Sequence, residues 1–181
     1  GCCTNLQHFC RTVGVSDRFR IDPALTFIDP EGGSSRFAAS PLPAPLHLAP
    51  AFAGLRFLTF REKLRLAFGL RRLARQRIDR SSDRRSMDEW LRKAGQTPRL
   101  IERFWEVVLV SALSESLDRI DVGHARKVFV DSFLRNRRGW ELHVPRVPLD
   151  DLFGRPVLDW LRARGADVTL LATVRQLAVD A

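Results

Sequence analysis

Apolar residues recur along this chain at two spacings, three-to-four and two, and the switches between them outline the elements. Thr4-Asn5-Leu6-Gln7 reads as a capping box; Leu6, Phe9, Cys10 and Val13 follow at helical spacing, and Gly14 stops the helix. The stretch ALTFIDPEGGSSRFAA predicts a hairpin: a strand to Ile28, a turn through Asp29 to Gly33, and a strand to Ala39. SPLPAPLHLAP carries four prolines in eleven residues. That density argues against helix and interior strand, so an ordered extended loop is expected, its leucines packed on something apolar.

Helices dominate the middle. Thr59 to Glu62 is a second capping box, opening a basic helix at Phe60 that runs to about Ile78. Ser86 to Glu89 is a third, opening a short helix that ends at Gly95. Thr97-Pro98 places an N-cap before a first-turn proline. The helix it opens carries Ile101, Phe104, Trp105 and Val108 on one face; Leu109, Ala112 and Leu113 widen it, so burial nearly all round is expected. A further helix spans about 121–135, with Ala125, Val128, Phe129, Ser132 and Phe133 inward, and HVPRVPL is extended. A last helix, 149–164, has Pro156 as a candidate kink, Val157, Trp160 and Leu161 as its buried side, and Gly165 as its stop. Two strand-like runs follow, 167–171 and 174–179. The two sheet fragments are too few for a stable sheet, so further strands are expected outside this sequence.

Composition narrows the class. The chain has 181 residues, 45% of them hydrophobic and 28% charged, which is globular. No apolar run nears the ~20 residues needed to cross a bilayer, and neither a signal peptide nor a lipidation motif is recognisable. The net charge of +9 comes from 27 arginines and 3 lysines against 21 acids. A basic surface attracts nucleic acid or anionic lipid, but the aromatics sit at core spacing, so no nucleic-acid partner is expected. Cys2, Cys3 and Cys10, with His8 nearby, lack the four-ligand spacing of a zinc site. Reduced thiols and no metal are expected.

The chemistry-bearing motifs are missing: there is no GxGxxG, P-loop, HExxH or GxSxG. His8, His47, His124 and His143 are scattered, and a surface or structural role is the commoner explanation for each. Glu102 and Glu106 share a helix face. Carboxylates there could do acid–base work, yet pairing with Arg99 and Arg103 is the commoner use. No catalytic residue is assigned.

GCCTNLQHFCRTVGV, ASPLPAPLHLAP, SMDEWLRKAGQTPRLIERFWEVVLVSALSE, ARKVFVDSFL and PRVPLDDLFGRPVLDWLRARGADVTLLATVRQLAVD follow one another through the whole chain. In this order they resemble the squalene-associated FAD-dependent desaturases, the hydroxysqualene dehydroxylases of hopanoid biosynthesis. That group is similar to plant-type phytoene desaturases and, more distantly, to the flavin amine oxidases. Where the family often has Pro and Asn, this chain has Val107 and Ser114. The resemblance implies an α+β flavoprotein fragment. Residues 1–148 would belong to a mostly helical substrate domain with a β-hairpin, and 149–181 would re-enter a Rossmann-type FAD domain. The N-terminal GxGxxG unit and the C-terminal FAD segment would lie outside the sequence. It further implies that Val174, in TVRQL, contacts the FAD adenine through its backbone. The implied reaction is hydride delivery from reduced FAD to hydroxysqualene, giving squalene. The implied pocket is an apolar tunnel with Phe104, Trp105, Leu109 and Phe133 as candidate linings, though the same spacing suits plain core.

The helix from Phe60 to Ile78 interleaves Arg61, Lys63, Arg65, Arg71, Arg72, Arg75 and Arg77 with Phe60, Leu64, Phe68 and Leu73. It suits either an anionic membrane surface or an ordinary solvated face. The expectation is a cytoplasmic protein, peripheral to the inner membrane, acting on a hydrophobic isoprenoid. A phytoene or ζ-carotene-type desaturase is one alternative. A basic, non-catalytic module binding lipid or nucleic acid is another.

Overall fold

The computed structural model describes residues 3–29, 32–76 and 85–176. Two compact units result. One comprises residues 1–3 and 21–142; the other joins 4–20 to 143–181.

In the larger unit, β2 (Leu25–Ile28) and β3 (Ser34–Phe37) form the expected antiparallel hairpin, with Leu25 opposite Phe37 and Ile28 opposite Ser34. The proline-rich stretch departs from expectation. It contains a turn of 3-10 helix at Leu46–Leu48 and a short helix α2, Ala49–Ala53. Pro50 falls in the first turn of α2, where a backbone N–H has no helical acceptor to lose.

Helix α3 (Phe60–Arg75) starts at a complete capping box: the Thr59 hydroxyl accepts from the Glu62 amide at 3.3 Å, and the Glu62 carboxylate accepts from the Thr59 amide at 2.8 Å. The helix ends at Arg75, short of the expected Ile78, because Gln76 takes an extended backbone conformation with its N–H on the Leu73 carbonyl; residues 77–84 lie outside the described set. Helix α4 (Met87–Lys93) has the Ser86 cap and a stop at Gly95, where φ is +72°. Helix α5 (98–113) begins at the Thr97 cap. It ends at Ser114, which sits at φ 53°, a left-handed conformation that Asn tolerates better than Ser.

Helix α5 is not buried all round. Ile101, Phe104, Trp105 and Leu109 are buried, whereas Glu102, Glu106, Val107, Val110 and Ala112 are exposed. Its segment Ile101–Glu106 and the segment Lys127–Leu134 of α6 (122–134) wind as π-helix. The wider i→i+5 turn brings sequence neighbours onto one side. Phe104 and Trp105 are buried as expected, and in α6 Val130 joins Phe129 inside. Val130 escaped a reading built on 3.6 residues per turn, while Val128, Ser132 and Phe133 are only half-buried.

The smaller unit holds α1 (Thr4–Val13) and α7 (150–162). Its core consists of Cys10, Val15 and Leu152, with Val13, Phe19, Val147 and Phe153 packed on them. Leu6 and Phe9, expected inward, are exposed, and Val157, Trp160 and Leu161 are half-buried. The helical spacing was present, but so few neighbours surround these helices that only one stripe of each is covered. Strand β1 (Phe19–Asp22) pairs with β4 (Leu142–Pro145). Gly165 ends the helical turn after α7 at φ +78°. The expected strand over 167–171 is absent, and 172–176 is not a strand either; the rest of the second run lies outside the described residues. Leu171 adopts φ 58°, which breaks a β register, and no described strand pairs with the segment.

Glu62 is the main polar tie of the larger unit. Buried at the start of α3, it accepts from Arg99 at 2.6 and 2.7 Å, while the second terminal nitrogen of Arg99 donates to the Phe57 carbonyl at 2.9 Å. Burial pushes the Glu62 carboxyl up. The hydrogen bonds from Arg99 and Thr59 outweigh it and leave the group below its ordinary value. The stability this adds is present above the unfolded Glu value, about 4.3, and is lost as pH falls through the depressed folded one. Glu62→Gln should therefore cost about 2 kcal/mol at neutral pH, short of a fully buried pair because Arg99 is partly exposed. It should also flatten the acid limb of stability against pH. Urea unfolding of both proteins at pH 7 and pH 4 measures both effects.

Candidate functional site

The candidate lining residues lie where α5 and α6 face each other. Phe104 stacks on Phe129 with centroids 5.9 Å apart, Trp105 meets Phe129 edge-on at 4.8 Å, and Phe133 meets Phe129 edge-on at 6.0 Å. Phe52, Phe37 and Phe27 continue the chain of rings to the hairpin. Phe104, Trp105 and Leu109 are completely enclosed and Phe133 is half-buried. The structure thus brings all four to one apolar cluster. As packed, their own side chains fill it.

Two polar details fix Trp105. Its indole N–H donates to the Gln96 side-chain carbonyl at 2.9 Å, and the Gln96 amide donates to the Arg65 carbonyl at 3.0 Å. Gly69 of α3 lets both approach: a Cβ there would meet Gln96 and the Trp105 ring at 3.0 Å.

An open cavity of about 480 Å³ adjoins the other side of α5, lined by Asp88, Arg92, Gln96, Ile101, Glu102 and Glu106 among others. Glu102 and Glu106 do line a common space, but the expected pairing with Arg99 and Arg103 does not form. Arg99 goes to Glu62, and Arg103 to Asp29 at 3.5 Å. Helix rotation decides this, since Arg99 and Arg103 point across the chain to α3 and the hairpin. Asp88 bonds Arg92 at 2.8 Å, which holds the Arg92 guanidinium above its ordinary value.

His47 is the titratable group that sequence reasoning left among the ordinary ones. It is fully buried, and neither ring nitrogen has a hydrogen-bond partner of good geometry. Around it the loop closes on itself: the Ser40 amide and hydroxyl donate to the His47 carbonyl at 2.7 and 3.0 Å. Arg137 clamps the same loop by donating to the carbonyls of Ser40, Pro41 and Leu42. Burial, then the nearby Arg137 charge, push the imidazole below its ordinary value; the Phe133 and Asn136 carbonyls pull less strongly the other way. The available signal was local: a histidine flanked by Leu46 and Leu48 in an apolar loop. His124 lies in the first turn of α6, where its amide donates to the capping carboxylate of Asp121 and its ring contacts the same carboxylate. Cys10 is buried, which pushes its thiol up and leaves it unreactive. Among the described residues no group of three or more His, Cys, Asp or Glu is placed to hold a metal ion.

Val174 lies in the extended segment after α7 and is 72% exposed. Residues 167–176 make no backbone hydrogen bond to other described residues. Their N–H and C=O groups are therefore open to a ligand or a strand partner.

No protein-family model matches the sequence. A 15-cis-phytoene desaturase of Synechococcus elongatus (strain ATCC 33912 / PCC 7942 / FACHB-805) is 25% identical over 190 residues, a similarity covering 99% of this chain. The chain spans 39% of the length of that relative.

The buried, neutral His47 carries a pH signature. Its folded value lies below the unfolded one, about 6.5. Above that pH neither state binds the proton. Below it the unfolded state binds first, and folding weakens until the folded value is reached. Stability should fall as pH drops below about 6.5 towards the depressed folded value, by at most about 1.4 kcal/mol per pH unit for this one proton. His47→Leu should remove that part of the slope. Thermal unfolding across the range reads it; an identical slope in the variant would count against a buried neutral His47.

Proposed function

We propose that this chain is part of an FAD-dependent oxidoreductase acting on a long isoprenoid, and that its reaction is the reductive dehydroxylation of hydroxysqualene to squalene. The observation that carries the coarser reading is the similarity to a phytoene desaturase along nearly the whole chain. The hydroxysqualene assignment rests on the sequence resemblance alone. A phytoene-type desaturation, which would run the flavin oxidatively, is the reading that the relative's own activity favours.

One position fits the cofactor. Val174 offers an unpaired backbone N–H and C=O on an exposed, extended segment, which suits a contact to the edge of an adenine. FAD when bound supplies the hydride chemistry. What this chain would contribute is an apolar environment around Phe104, Trp105, Leu109 and Phe133. A ligand there needs those rings to turn aside, because the present packing leaves them in contact.

The discriminating assay uses the protein expressed with whatever sequence flanks this chain in its gene. With reduced flavin and hydroxysqualene, squalene should form. Formation of conjugated product from phytoene with oxidised flavin, and no squalene, would select the rival. Flavin retention checks the cofactor contact separately. Val174→Pro removes the backbone donor and should weaken FAD binding about tenfold, whereas Val174→Ala should leave it nearly unchanged.

A further inference from the structure

Helix α3 turns two unlike faces to its surroundings. Glu62, Leu66, Gly69, Leu70 and Leu73 are buried. At roughly 100° per residue, Leu64 lies on the opposite side of the helix, with Phe60 and Phe68 one turn before and after it. These three are 75%, 45% and 68% exposed, in the order Phe60, Leu64, Phe68. They form an outward stripe about 12 Å long at 1.5 Å rise per residue. Single exposed apolar residues are ordinary, but an aligned set marks a contact surface.

The charge around the stripe is of one sign. Arg61 and Arg65 flank it, and Arg71 and Arg75 continue the same side towards the C-terminus. All four are exposed, and none forms an ion pair among the described residues. Lys63 and Arg72 are engaged elsewhere, on the Ala53 carbonyl at 2.6 Å and over the Trp90 ring at 5.9 Å. The one acid of the helix, Glu62, faces inward and is already neutralised by Arg99.

We propose that this face of α3 docks on an anionic lipid bilayer. Phe60, Leu64 and Phe68 enter the boundary between headgroups and acyl chains, and Arg61, Arg65, Arg71 and Arg75 rest on lipid phosphates. The helix lies in the plane of the surface, its N-terminal half deeper, since the outward side changes from apolar to cationic after Phe68. No described helix is long and apolar enough to cross a membrane. A nucleic acid would satisfy the same cations. It has no use for Leu64 between two phenylalanines on one line, which is why the bilayer is the occupant we favour. The proposal does not depend on the redox reading.

The test is co-sedimentation of the full chain with vesicles of phosphatidylcholine alone and of phosphatidylcholine mixed with phosphatidylglycerol. Binding to the mixed vesicles only is expected. Phe60→Ser and Phe68→Ser should each weaken it about tenfold. Arg71→Gln and Arg75→Gln should each weaken it about fivefold, as should added salt. An environment-sensitive fluorophore at position 68 should shift to the blue on binding, and one at position 75 should not. Because both phenylalanines are exposed, thermal unfolding of their variants should match the parent; a large drop would mean the stripe is covered by protein and would overturn the proposal. So would failure of the folded chain to bind, binding indifferent to the phenylalanines, or single-stranded RNA held with the same dependence on Phe60 and Phe68.

Discussion

The rotation of α3 about its own axis depends on one carboxylate. Glu62 caps the helix through Thr59, bridges to Arg99 on α5, and through Arg99 reaches the Phe57 carbonyl in the segment before the helix. A buried acid with these partners tolerates one orientation, because any other would leave the charge desolvated and unpaired. Once Glu62 points inward, Leu66, Gly69, Leu70 and Leu73 follow it by helical geometry. Phe60, Leu64 and Phe68 are then committed to the outside. An interior ion pair thereby decides what the exterior of the helix presents.

The aromatic seam depends on the same placement. Gly69 faces Trp105 only with α3 in this rotation, and the Arg65 carbonyl then receives Gln96, whose other end holds the indole N–H. Trp105 in turn fixes the edge-on contact to Phe129. A buried indole without a partner would cost about 1–3 kcal/mol. The Gln96 bridge therefore selects one packing of α5 on α6 from the several that apolar contact alone would permit.

Much of the larger unit was legible in the sequence. Each of the caps at Thr59, Ser86 and Thr97 is a local device whose donor and acceptor lie three residues apart, so the sequence contains both partners. The hairpin follows from the same kind of local pattern. What was not legible is long-range or depends on helix pitch. Arg99 and Glu62 stand 37 residues apart, and nothing local told Arg99 to choose Glu62 over Glu102. The π-turn of α6 shifts the inward set by a residue, so Val130 was missed and Val128 overrated. Of the candidate site, the clustering of Phe104, Trp105, Leu109 and Phe133 was readable. Whether they pack as core or line a space was not, since both uses demand apolar residues at one helical spacing. His47 was hidden for the opposite reason: its burial comes from Arg137 holding the loop ninety residues or more away in sequence.

The segment after Gly165 shows why strand propensity does not make a strand. DVTLLATV has the residues a β-strand prefers, but a strand is defined by its ladder, and each unpaired N–H and C=O gains nothing from being extended. Here Leu171 is fully exposed and turned into the left-handed region, near the largely exposed Leu170 and Val174. Leaving such side chains in water forfeits about 1.5–3 kcal/mol each relative to burial. The same residues that make the segment unstable alone make it a good edge for another β-strand, which would satisfy the backbone and cover the leucines in one step. Contact of Val174 with an adenine and pairing of this segment with a strand are therefore compatible. The ladder fixes the backbone in the extended form, and a backbone so fixed can meet the flat edge of a base without a further ordering cost.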